Sequence, residues 1–176
     1  MLNLLTRKMG LQMIKHIYFF LLIVFINVFR LGLGLYLNIP EVALILIFIY
    51  ASATNRVYGS IMGVTIGLIK DIMIGRAIGI YAITYLLPVY LVGYLMEHKF
   101  VSSNRLNMFL VFALGSGLFE MIFWLLNELT FMTEVSILSI FKWQQIINMI
   151  IQSVIGVLLY PRLRKIVKKG GYLFKY

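Results

Sequence analysis

Hydrophobic and polar positions along this chain fall into long blocks rather than alternating. Apolar stretches cover about 15–37, 40–55, 57–75, 77–96, 107–128 and 143–161, with short polar segments between them. A helix needs about 20 apolar residues to cross the ~30 Å hydrocarbon core, so the pattern predicts six transmembrane helices. A closed barrel would alternate every second residue, whereas these blocks are apolar on every side. The second block is short and begins at Pro40, a residue suited to a first helical turn, and Pro88 predicts a kink in the fourth. The expected fold class is therefore all-α: a single polytopic membrane domain over residues 1–176, with no obvious repeat and no Gly/Ser-rich linker.

Both ends of the chain extend this pattern. Leu2, Leu5, Met9 and Met13 recur at helical spacing opposite Arg7 and Lys8, so residues 1–14 are expected to lie along the membrane surface before the first span turns in. The basic-then-apolar order is that of a signal peptide. The apolar run, however, continues past Arg30 into "LGLGLYL" without a small-x-small cleavage site, and an uncleaved first span is expected. The other end, 162–176, is a basic tail whose cations each add about 1 kcal/mol of attraction near an anionic leaflet.

Charge then sets orientation. The chain has 16 Lys and Arg against 6 Asp and Glu, a formal net charge of +10. With a cytoplasmic N-terminus, only Arg30, Lys70, Arg76 and Lys142 of these cations fall on the outer half, and Glu41, Glu128 and Glu134 fall outside. Both termini are thus expected in the cytoplasm, and the positive charge reads as a topology signal rather than a nucleic-acid footprint. Composition closes off other classes: 62% hydrophobic residues, 12% charged and a mean hydropathy of +0.97 exclude a soluble globular domain. Without cysteine there is no disulfide, thiolate catalysis or Cys-ligated metal. His16 and His98 have no second ligand at metal spacing, no phosphate-cradling loop appears, and no serine has a base nearby in sequence. No enzyme activity, cofactor or metal is expected.

Two features stand out within the spans. The stretch "GSIMGVTIGLIKDIMIG" sets Gly59, Gly63, Gly67, Asp71 and Gly75 four residues apart. In lipid, small residues at this spacing let helix backbones approach closely, so the glycines predict a packing face, either within a bundle centred on the third span or against a partner. The second feature is charge at depth. Counting ~1.5 Å per residue from the inner edge of each span puts Arg30, Asp71 and Glu120 all about 20 Å along, with Lys70 beside them. A mid-bilayer charge opposes insertion by about 2.5–3.5 kcal/mol. Arg30, Lys70, Asp71 and Glu120 sum to zero formal charge, which predicts a compensated cluster in which Arg30 pairs with Asp71 or Glu120. Such a cluster serves as a structural lock or docking site, or as the floor of an outward-facing pocket.

The stretch "YGSIMGVTIGLIKDIMIGRAIGIYAITYLLPVYLVGYL", with Gly63, Gly67, Leu68, Asp71, Gly75 and Gly79 in place, resembles the rod shape-determining protein MreD family. The resemblance implies a non-enzymatic subunit of the bacterial inner membrane that takes part in cell elongation and peptidoglycan synthesis. It implies binding to MreC, and through it links to RodA, a class B penicillin-binding protein and the MreB filament. It also implies a fold similar to the substrate-binding subunits of energy-coupling-factor vitamin transporters, and a vitamin-binding subunit is accordingly the alternative reading. Such a subunit often carries AxxxA in its first span; here the first span has Gly32 and Gly34, and the small-residue face lies on the third.

Overall fold

The computed structural model describes residues 2–34, 41–75, 77–98, 104–131 and 143–168. Among these residues it contains six helices and no strand: α1 (Leu2–Gly34), α2 (Val42–Ala53), α3 (Arg56–Ile74), α4 (Ile80–Glu97), α5 (Arg105–Phe131) and α6 (Trp143–Lys168). Four of them, α3 to α6, are long and apolar enough to cross a membrane. Glu134, Arg76 and Lys142 lie outside the described residues, as does the tail beyond 168.

Local chemistry sets the helix limits. Asn55 caps α3 by accepting from the Val57 amide at 2.8 Å, and Asn104 does the same for α5 through Leu106 at 2.9 Å. At its other end α3 stops at Gly75, whose left-handed backbone (φ 71°) terminates the helix. Inside the helices the hydroxyls of Ser52, Ser60, Thr65, Thr84 and Ser153, and that of Thr54 at the end of α2, donate to the carbonyl four residues back.

The bundle is organised around α2. Every residue from Ala43 to Ala51 is buried, a helix apolar on all sides and therefore enclosed on all sides. It packs against α1, α3, α4 and α6 and touches α5, while the most extensive single pairing is α3 with α4. This corrects the expectation that the third span is central. The reason is length: at 12 residues α2 is about 18 Å long, too short to cross the hydrocarbon core alone, and it fits inside a cage of longer helices.

Two further expectations change at the ends. The helix α1 runs unbroken from Leu2 to Gly34, with no turn between a surface segment and a span. Likewise α6 continues through Pro161 to Lys168, so Arg162, Arg164 and Lys165 ride on the helix. Proline here removes only the hydrogen bond to the carbonyl of Val157 and does not end the element. Arg56, Glu97, Arg105 and Arg164 all lie toward one end of the bundle, the basic end, where Arg56 meets Glu97 at 3.6 Å and sits over the rings of Tyr90 and Tyr94.

Candidate functional site

The opposite half of the bundle holds a buried carboxylate that takes two cations. Glu41, immediately before α2, is 5% exposed. Its Oε1 accepts from the Lys70 ammonium at 2.8 Å and from the Tyr85 hydroxyl at 2.6 Å, and its Oε2 meets the Arg30 guanidinium at 2.5 Å. Glu41 is assigned to the outer surface by hydropathy; the structure places it inside. Because α2 is short, its N-terminal end stops within the bundle at the level of Lys70, and the carboxylate heading it arrives there too.

Arg30 is thus joined to Glu41, an acid outside the two partners that the depth count offers. Glu120 of α5, half-buried, is close enough to feel the charges of Arg30, Lys70 and Glu41. Two cations and two carboxylates from α1, α3, α5 and the start of α2 therefore share one layer, with Tyr85 of α4 bonded into it. Lys70 is 1% exposed, and its ammonium also lies 3.9 Å from the centre of the Tyr81 ring, so an aromatic face and a carboxylate together replace its water. Phe119 and Phe123 of α5 extend that aromatic wall against Tyr85 and Tyr81.

Asp71 has a different task. It is fully buried, and its two oxygens accept from the amides of Gly79 and Tyr81 at 2.9 and 3.0 Å. The N-cap of α4 is Gly79, which has no side chain to cap with. Asp71 reaches across from α3 to supply the missing acceptor, and its charge faces the positive end of the α4 dipole. The aspartate of the glycine stretch is a cap borrowed by the next helix.

The glycines divide in the same way. A Cβ on Gly59 would meet Ala51 of α2, and one on Gly67 would lie 2.6 Å from the Ala82 backbone of α4. Gly63 faces both neighbours at 3.4 to 3.6 Å, which is ordinary contact. These three lie inside the bundle. Gly75 and Gly79 have nothing within 4 Å and instead hold positive φ angles of 71° and 109°, so their glycine character serves the turn and not packing. Close approaches at Gly93 against Arg56, and at Gly115 against Val92 and Phe48, escape a reading that looks for regular four-residue spacing, because neither has a small residue four positions away. Glu41 and Tyr85 escaped for another reason: neither has a charged neighbour in sequence, and only the short α2 brings them together. A lone acid heading a wholly apolar block is the signal that could have found Glu41.

No group of three or more metal-ligating side chains occurs among the described residues. A bundle with four membrane-length apolar helices and a charged layer compensated within itself is a polytopic helical membrane protein. The family model for rod shape-determining protein MreD matches residues 7–169, and the chain belongs to that family. No curated protein and no solved structure matches it.

Proposed function

We propose that this chain is a non-enzymatic scaffold subunit of the bacterial cell-elongation machinery, held in the cytoplasmic membrane with both termini inside and binding MreC. RodA, a class B penicillin-binding protein and the MreB filament would be reached through that contact. The observation that carries the reading is membership of the rod shape-determining family over almost the whole chain. The chemistry of the bundle supports it: the charges at Arg30, Glu41, Lys70 and Asp71 are satisfied by one another, by tyrosines and by amides. Charges neutralised this way fix helix register, and a scaffold needs that. A bundle plan shared with the substrate-binding subunits of energy-coupling-factor transporters is part of the same proposal.

The glycine stripe is engaged by α2 and α4 at Gly59, Gly63 and Gly67, so the docking surface is assigned to other faces. The broad apolar face of α1, with Ile17, Leu21, Phe25 and Val28 exposed, is a candidate. The test is expression of this chain in a rod-shaped bacterium depleted of its own MreD, together with co-purification of MreC from membranes. Restored rod shape with retained MreC supports the proposal. Round cells despite normal membrane levels of a chain that does not hold MreC would reject it.

A further inference from the structure

One helix is seated differently from the other five. In lipid, helices attract one another largely through close approach at small residues, and α2 to α6 are joined at such places. Gly59 of α3 meets Ala51 of α2, Gly67 of α3 meets the Ala82 backbone of α4, and Gly93 of α4 meets the start of α3 at Arg56. Gly115 of α5 lies against Val92 of α4 and Phe48 of α2, and Gly156 of α6 against Phe112 of α5 and Ile45 of α2. At α1, by contrast, a Cβ on Gly10 or Gly32 would find nothing within 4 Å.

Burial along α1 has the same sense. It packs on α2 and α3 through one stripe, where Phe19, Ile23 and Asn27 are buried, while Ile17, Leu21, Phe25 and Val28 are exposed. Asn27 contributes little to the seat. Its Nδ2 donates to the Ile23 carbonyl of its own helix, and its Oδ1 is buried without a hydrogen-bond partner among the described residues. Polar contacts hold the stripe near both ends: the Tyr50 hydroxyl lies 3.1 Å from His16 Nδ1, with Phe19 stacked on the Tyr50 ring, and Arg30 meets Glu41.

The two oxygens of Glu41 divide between these parts. Lys70 and Tyr85 both bond Oε1, so the head of α2 stays joined to α3 and α4, with its charge compensated, whether or not Arg30 holds Oε2. Arg30 is about one turn from the end of α1 at Gly34, near enough for its long stem to carry the guanidinium to the interface once it lets go.

We propose that α1 is a strap that unseats as a unit from a self-sufficient α2 to α6 core, with Arg30 on Glu41 as its latch. Unseating uncovers the flank of α2 and opens Oε2 of Glu41 to a donor arriving from the membrane side, so α1 governs access to the charged layer. The strap does not depend on the elongation role proposed above.

Because the chain has no cysteine, pairs of spin labels can be placed on the full-length protein in lipid nanodiscs through introduced cysteines. Labels at exposed Leu21 and Leu114 read α1 against α5, and labels at exposed Ile61 and Leu114 read α3 against α5. Double electron–electron resonance should give the α1 pair a second distance, whose share Arg30→Gln raises about threefold, the factor expected for one interhelical polar contact in lipid. The α3 pair should keep a single distance. Asn27→Leu, which replaces an unbonded oxygen by apolar packing, should shrink the second share. Phe19→Ala should raise it as Arg30→Gln does, and decides the matter if Arg30→Gln does not fold. A single α1 distance that neither Arg30→Gln nor Phe19→Ala alters would overturn the strap. So would broadening that appears equally in the α3 pair, which is loosening of the whole bundle.

Discussion

Glu41 bonds Arg30 and Lys70 with one carboxylate, so neutralising it removes the ion pair of both cations at once and leaves Glu120 as the remaining carboxylate of the layer. Glu41→Gln should destabilise the protein by about 3–5 kcal/mol, read as a lower unfolding midpoint in detergent. Lys70→Met alone should also destabilise, and the double variant should lose less than the sum of the two; a strictly additive cycle would mean that the pair is not coupled. Asp71→Ala removes the acceptor for two amides at the start of α4 and should cost about 1–3 kcal/mol. Its signature is local: faster amide exchange at Gly79 and Tyr81, with the Glu41 layer undisturbed. At this scale the presence of a charged layer within the apolar spans was legible in the sequence, because ionised groups among Ile, Met and Leu have few explanations. Partner choice was not, since two acids at similar depth look equivalent until one is found against amide donors.

Between elements, the glycines of α3 separate by what lies opposite. Gly67→Ala should weaken the α3 and α4 pairing sharply, because the new methyl group would meet backbone that cannot rotate away. Gly63→Ala should be close to neutral, since its Cβ falls at 3.4 Å or more from side chains. Thermal unfolding of the two variants side by side checks the contrast, and equal losses would show that the stripe is uniform. Gly75→Ala should cost about 1 kcal/mol for a different reason, the positive φ, and without changing helix separation. Helix existence was readable from the apolar blocks, and the extent of α3 to within one residue at each end from the block over 57–75. The continuation of α6 through Pro161 was not, because whether proline ends a helix depends on the neighbours that enclose it.

For the whole molecule, the absence of cysteine makes topology directly measurable with single-cysteine variants. A cysteine at Arg105 should be modified by a membrane-impermeant thiol reagent only from the cytoplasmic side, and one at Phe131 only from the other; the reverse pattern would invert the proposed orientation. A cysteine at Ala43 should stay unreactive from both sides, as its neighbours on α2 are sealed by four helices. Sequence by itself determined the class of protein, the positions of the six helices among the described residues and the family, because each follows from patterns local to a helix or a motif; that only four of the six reach membrane length was not determined that way. The centrality of α2, the conversion of Glu41 from a surface acid to a shared counter-ion and the use of Asp71 as a cap for α4 were decided only by tertiary structure. A helix of 12 residues can sit at any depth, and what a charge pairs with depends on which longer helices enclose it.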